Sequence, residues 1–196
     1  MAGDAELIAR ALGGDGEAFD ALIGSRWERM FRIAWRIVGD AEDARDVAQQ
    51  SCLRLWETLG RFRIGEDLDG WIYRMTVNLA IDALRRRQAR PEEPWPAAPA
   101  EPVPAAGPGP EELLRARELD AALQEVTHDL PPRQKAVFVL ARIEGLSGAE
   151  IAAMLGLAPS TVRNHLFQAR AVVGRRLAEK FPGLFSEGAG GKGEAE

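Results

Sequence analysis

Apolar residues return every three or four positions along most of this chain, which is the period of a helix with one buried face. Residues 4–12 read as a short helix ended by the cluster Gly13-Gly14-Asp15-Gly16. A second helix is expected from about Glu17 to Val38, with Phe19, Ile23, Trp27, Met30, Ala34 and Val38 on its buried side and Gly39 as its stop. A third runs from Asp40 to near Leu59. It buries Ala44, Ala48, Cys52, Leu55 and Leu59 and carries Asp43, Asp46, Gln50, Arg54 and Glu57 on the opposite side. Asp40, Glu42 and Asp43 suit the positive end of that helix dipole. Arg61 to Asp69 reads as a loop. The next helix, Gly70 to about Arg90, has Ile72, Met75, Leu79 and Ala83 as its buried stripe. Trp71, Arg74, Asn78, Asp82 and Arg85 fall broadly on its other side.

The period is lost from Pro91 to Pro110, where PEEPWPAAPAEPVPAAGPGP is a linker biased to polyproline II. At about 3.1 Å per residue it reaches at most roughly 60 Å, or about 18 base pairs of B-DNA. Helical spacing resumes between Glu111 and about Thr127 with Ala116, Leu119, Leu123 and Val126. Leu130-Pro131-Pro132 opens a further helix that closes at Gly145.

Then comes SGAEIAAMLGLAPSTVRNHLFQAR, residues 147–170. Ser147 with Glu150 has capping-box spacing, Gly156 stands where the chain must turn, and Pro159 suits the first turn of a new helix. Val162, Leu166, Ala169 and Val173 form one buried face. This is the pattern of a helix-turn-helix. Arg163, Asn164, Gln168 and Arg170 on the other face are side chains able to reach base edges or phosphates. Phe181-Pro182-Gly183 ends the fold, and the Gly/Glu-rich tail to Glu196 is expected to be disordered. The fold class is therefore all-α: two small helical domains and a Pro/Ala-rich linker.

Composition narrows the function. Hydrophobic residues make up 46% of the 196, enough for packed cores, and no apolar run has the length of a membrane span. The N-terminus lacks a signal-peptide core, and the single cysteine, Cys52, forbids an internal disulfide. A cytoplasmic protein without membrane insertion is expected. Net charge is −5, whereas a protein that binds DNA unaided is more often basic. Positive charge is local, at Arg85, Arg86, Arg87 and Arg90 and again from Arg163 to Lys180. That distribution fits a chain that meets DNA in the company of a partner. Aromatic rings beside Arg and Asn near the Arg61–Asp69 loop are what capture of single-stranded nucleic acid requires, although Trp71 and Tyr73 could equally be packing residues.

Together, DAEDARDVAQQSCLRLW, GWIYRMTVNLAIDALRRR and LPPRQKAVFVLARIEGLSGAEIAAMLGLAPSTVRNHLFQAR resemble a bacterial RNA polymerase sigma factor of the extracytoplasmic-function (ECF) class, over roughly residues 4–182. The resemblance implies a core-polymerase-binding and −10 domain over 1–90, the linker over 91–110, a −35-reading domain over 111–182 and a tail over 183–196. It implies that Asp40, Asp43, Asp46, Val47, Gln50 and Arg54 face the core polymerase. It places Arg61, Arg63, Trp71, Arg74, Asn78, Asp82, Arg85 and Arg86 at the −10 element, where a flipped non-template base is captured. Ser160, Thr161, Arg163, Asn164, His165, Gln168 and Arg170 would read the −35 element. The implied partners are core RNA polymerase, through its beta-prime clamp and beta flap, promoter DNA, and an anti-sigma factor. No cofactor, metal or catalytic residue is implied, because binding free energy alone can drive melting.

Two features depart from the class. TVRNHL is closer to LuxR-type regulators than to the Ser-Arg pair common in these sigma factors, and the linker is unusually rich in proline. A LuxR-like regulator would bind palindromic DNA without polymerase, but the first half lacks the strand–helix alternation of a receiver domain. An enzyme reading rests on Glu125-Val-Thr-His128, the Glu-x-x-His spacing of a di-iron bundle. It lacks a second such pair, since the other histidine, His165, is on the recognition helix.

Overall fold

In the computed structural model, residues 3–63, 65–89 and 120–180 are described. They form helices α1 (Asp4–Leu12), α2 (Gly16–Gly24), α3 (Trp27–Val38), α4 (Ala41–Thr58), α5 (Leu68–Ala89), α6 (120–127), α7 (Pro132–Arg142), α8 (Gly148–Leu155) and α9 (Pro159–Lys180), with a 3₁₀ turn at Leu59–Arg61. No strand occurs among the described residues. The linker over 91–110, the start of the helix expected from Glu111, and the tail lie outside them.

The helix expected over 17–38 is two helices, broken at Ser25–Arg26. The apolar period continues across the break, so Ile23, Met30, Ala34 and Val38 are all buried. What periodicity could not reveal is the tertiary use of Arg26. Its guanidinium donates to the Leu22 carbonyl at 2.9 Å, to Asp4 of α1 at 2.5 Å and to Asp69 of α5 at 2.6 Å. One side chain thus ties three helices at the point where the chain bends.

Helix α4 begins as its acidic first turn suggests: the Asp40 carboxylate accepts from the Glu42 and Asp43 amides at 2.9 and 3.0 Å. Helix α5 differs from expectation in its buried arc. Tyr73, Thr76, Val77, Ala80, Ile81 and Leu84 are buried along with Ile72, while Met75, Leu79 and Ala83 are half-buried. The reason is that α5 packs against α3 and α4 on one side and α7 and α8 on another, so no single stripe suffices. The buried hydroxyls of Ser51, Thr76 and Thr127 each donate to the carbonyl one turn back, which satisfies them without a partner helix.

The two halves of the chain share one core. Ala136, Val137, Val139 and Leu140 of α7 are fully buried, and they cluster with residues of α3 and α5 as well as with Ile151 and Val162. A smaller cluster, Val126, Leu130, Ala169 and Val173, closes the far side of α7. Polar contacts join the halves where α3 ends. Arg36 pairs with Asp120 at 3.2 Å and with Glu144 at 2.5 Å. The Gln124 amide donates to the carbonyls of Trp35 and Arg36, both at 3.0 Å, and its oxygen accepts from Lys135 Nζ at 2.7 Å. Gln88 of α5 donates to the Leu130 carbonyl at 3.3 Å.

Gly39 sits in the middle of this junction at φ +80°. A Cβ there would lie 2.5 Å from Gln124 Oε1 and 3.4 Å from Lys135 Nζ. Gly39→Ala is therefore expected to cost about 1–2 kcal/mol from backbone handedness alone, with a further loss from displacing Gln124. Denaturant unfolding checks this. An unchanged midpoint would mean that α6 does not rest on the end of α3.

Candidate nucleic-acid interface

The helix-turn-helix is built from the signals in its sequence. Ser147 and Glu150 form the full capping box: Ser147 Oγ accepts from the Glu150 amide at 3.3 Å, and Glu150 returns a carboxylate to the Ser147 amide at 2.8 Å. The Ser147 hydroxyl and then the Ser147 amide, as donors to the Glu150 carboxylate, hold it below the usual range. Gly156 adopts φ +63° at the end of α8, and Leu157 donates back to the Ala152 carbonyl at 2.9 Å. Ile151 and Ala152 then meet Val162, and Ala169 and Val173 are buried below.

The opposite face of α9 presents Ser160, Arg163, Asn164, Gln168 and Arg170 to solvent. Thr161 and His165 are only half-exposed, and His165 Nδ1 is buried without a hydrogen-bond partner, so His165 points partly inward rather than out with its neighbours. Gln168 accepts from Gln134 at 2.7 Å, which braces the recognition helix on α7. Sequence reasoning missed Phe167. It is 74% exposed, and helical spacing sets it one turn beyond Arg163 and Asn164. The signal was present: Phe167 is a large apolar residue that stands off the Val162–Leu166–Ala169–Val173 stripe.

On α5, the expected −10 residues Arg74, Asn78 and Asp82 are exposed and line one cleft of about 410 Å³ with Trp71 and Arg54. Trp71 is half-buried, its ring stacked on Phe62 at 5.5 Å between centroids. It both packs and faces the cleft. Asp82 pairs with Arg85 at 3.1 Å. Arg61, Arg63 and Arg86 are exposed but do not line the cleft. Its far wall is Arg133 of α7 and Leu155 of α8.

On α4, Asp46, Gln50 and Arg54 are exposed, and Asp43 pairs with Arg87 of α5 at 3.2 Å. Val47 is a correction. It is 1% exposed and belongs to the core, because the buried stripe includes Val47 and Ser51 in addition to Ala44, Ala48 and Leu55. Cys52 moves to the edge of that stripe and is half-buried; burial raises its thiol above the ordinary range. Asp40 is occupied as the helix cap. Leu53 and Trp56, 65% and 43% exposed, were not expected on this face. Trp56 meets Phe19 edge-on at 4.9 Å. The Glu-x-x-His pair does not form a centre: His128 is exposed beside Asp129, and Glu125 pairs with Lys180. Among the described residues no group of acidic, His and Cys side chains could hold a metal.

Two family matches cover these three faces, the first spanning α4 and α5 and the second the start of α9. Residues 22–90 match sigma-70 region 2, and residues 120–172 match sigma-70 region 4. Over 175 residues the chain is 35% identical to ECF RNA polymerase sigma factor SigM of Mycobacterium tuberculosis, covering 89% of this chain and 84% of that one. The chain belongs to the ECF RNA polymerase sigma factors. It is thus a promoter-recognition factor that works with RNA polymerase.

Other sigma factors agree. SigE of Mycolicibacterium smegmatis is 35% identical over 167 residues, covering 83% of this chain, and the chain spans 62% of that relative's length. RNA polymerase sigma-H factor of Pseudomonas aeruginosa is 30% identical, covering 89% of this chain and 93% of its own. Among solved structures, CnrH in complex with the cytosolic domain of CnrY aligns with a TM-score of 0.61 at 25% identity, covering 90% of this chain and 97% of that one. The sigma factor RpoE of Bartonella quintana, bound to the anti-sigma factor NepR, shares the fold with a TM-score of 0.58 at 20% identity, over 81% of this chain and 96% of that one. No helix among the described residues is long and apolar enough to cross a membrane.

Proposed function

We propose that three exposed faces divide the work of initiation. The outer face of α4, with Asp46, Gln50 and Arg54, docks on the beta-prime clamp of core RNA polymerase. The α5 face, with Trp71, Arg74, Asn78 and Asp82, opens the −10 element and captures an unstacked base, helped by Arg61, Arg63, Arg85 and Arg86. The outer face of α9 reads the −35 element through Arg163, Asn164 and Phe167, while Ser160 and Arg170 hold phosphates and the domain meets the beta flap. The division into a −10 domain, linker and −35 domain belongs to the same reading.

The observation that carries it is the coincidence of each exposed polar face with its sigma-70 region, in chain order. No covalent step is needed. Unstacking one base costs a few kcal/mol, which contacts in a cleft can recover, and phosphate contacts add salt-dependent affinity. Phe167 supplies what arginine cannot, an apolar surface for thymine methyl groups. The factor would act in the cytoplasm, restrained by an anti-sigma factor that competes for these faces.

Transcription from a promoter library by core polymerase carrying this chain tests the reading. Initiation at promoters that share a −35 and a −10 sequence is expected. Arg163→Ala should relax one −35 position by about 1–3 kcal/mol. Equal loss on every promoter would reassign Arg163 to the DNA backbone. A chain that shifts palindromic duplex DNA without polymerase, and starts no transcripts with it, would instead be a free-standing regulator.

A further inference from the structure

Arg26 stands between α2 and α3, and its side chain is only 14% exposed. Every one of its nitrogens already donates. Nε reaches Asp69 at 2.6 Å and Nη2 reaches Asp4 at 2.5 Å. Nη1 reaches the Leu22 carbonyl at 2.9 Å and the Ser25 hydroxyl at 3.1 Å. A guanidinium is a rigid planar fork, so partners held on all its nitrogens are fixed relative to one another. Unlike the exposed Arg63 and Arg74, Arg26 is spent within the fold and is not offered to a phosphate.

Asp69 is the partner that bears on the −10 face. It lies in the first turn of α5, two residues before Trp71. That turn is set locally by Asp67, whose carboxylate accepts from the Gly70 amide and whose carbonyl accepts from the Trp71 amide, both at 3.0 Å. Gly70 is needed there, because a Cβ would collide with Asp67 Oδ2. Trp71 in turn stacks on Phe62, which lies just past the 3₁₀ turn. These ties are all short in sequence. Arg26, 43 residues before Asp69, anchors the same turn to α1 and to the end of α2.

We propose that Arg26 is a positioning residue for promoter opening: by holding Asp69 it sets the tilt of the first turn of α5, and with it the ring plane that Trp71 offers to an unstacked −10 base. This rests on the assignment of α5 to the −10 element. A base stacks on an aromatic side chain only when the two planes lie nearly parallel and in contact. Trp71 is carried by the turn that Asp69 belongs to, so releasing Asp69 lets the indole turn away from that plane.

The test uses the full chain on core RNA polymerase and single-stranded non-template oligonucleotides carrying the −10 sequence of one of its promoters. Each −10 base in turn is replaced by an abasic site, and affinities are read by fluorescence anisotropy. The wild-type holoenzyme is expected to lose affinity at the position of the captured base. Asp69→Ala cuts the arm to α5 and leaves Arg26 its bonds to Asp4 and Leu22. It is expected to lower the intact-over-abasic ratio at that position about fivefold, the lower end of what one base–ring stack contributes. The ratio cancels the change in net charge. Asp69→Glu keeps a carboxylate within reach and should recover most of the loss. Asp4→Ala cuts only the arm to α1 and should leave the ratio as it is. Arg26→Met should lower the ratio as far as Asp69→Ala, and the two together no further, because they act through one bond. Melting followed by circular dichroism verifies that each variant is folded; Asp69 is about half exposed, so its replacement opens no core.

A wild-type ratio in Asp69→Ala would overturn the proposal. Equal losses in Asp69→Ala and Asp4→Ala would do so too, by making Arg26 a general brace of the fold. So would an Asp69→Glu variant as impaired as Asp69→Ala, or losses at Arg26 and Asp69 that multiply. A wild-type holoenzyme indifferent to an abasic site at every −10 position would instead remove α5 from the −10 element, and the proposal with it.

Discussion

Leu53→Asp is expected to weaken association with core RNA polymerase about thirtyfold, or about 2 kcal/mol, while leaving the fold untouched. Asp46, Gln50, Leu53 and Glu57 follow one another at four, three and four residues, so they make a single solvent-facing stripe on α4. Leu53 is 65% exposed in its centre. An apolar side chain ringed by polar ones is the arrangement of an interface anchor, where excluded water makes one residue carry much of the energy. Because Leu53 is largely exposed and outside the buried core among the described residues, its replacement should shift unfolding by no more than about 0.5 kcal/mol.

The contrast with Val47 sharpens the test. Val47→Asp would bury a carboxylate at a position 1% exposed and should abolish folding and binding together. Polymerase affinity and denaturant unfolding of both variants separate the two cases. Unchanged affinity in folded Leu53→Asp would remove α4 from the polymerase interface.

That contrast also marks where reading the sequence stops. Turn chemistry was legible because it is local. Ser147, Glu150, Gly156 and Pro159 each act on neighbours within four residues, and all four behave as their chemistry dictates. Asp40 caps α4 and Gly39 ends α3 for the same reason. Faces were legible only where a helix buries one side. On α9 the stripe holds at Val162, Ala169 and Val173. On α4 and α5 it slips, because Val47 and Tyr73 are buried by elements distant in sequence.

The break at Ser25–Arg26 was hidden because the apolar period runs through it, and only the three partners of Arg26 explain the bend. The docking of the halves was illegible for a deeper reason. Arg36, Asp120, Gln124 and Glu144 look like four unrelated surface polar residues until helix packing gathers them.

Lys135 is expected to make the protein more stable as pH rises from about 8 to about 10.5, against the usual direction for a lysine with an acidic partner. Its side chain is 3% exposed, and its Nζ donates to Gln124 Oε1 at 2.7 Å, a neutral acceptor. Burial lowers its pKa from 10.5 to about 8, and the positive charge of Arg87 of α5, itself paired with Asp43, adds to the shift. Below pH 8 the amine is protonated in both folded and unfolded chains, so the cost of burying the ammonium is present in full. Between about 8 and 10.5 the folded chain has released the proton and the unfolded chain still holds it, so stability rises with pH. Above that window the gain is complete.

A shift of this size corresponds to about 3 kcal/mol at most. Lys135→Met fills similar volume without the charge. It forfeits one hydrogen bond worth about 1 kcal/mol, so it should stabilise the chain at pH 7 by about 1–2 kcal/mol and flatten the rise above pH 8. Denaturant unfolding of both proteins from pH 7 to 10 gives the answer as a difference, which cancels the titration of groups they share. A wild-type curve that stays parallel to that of Lys135→Met would sink the argument.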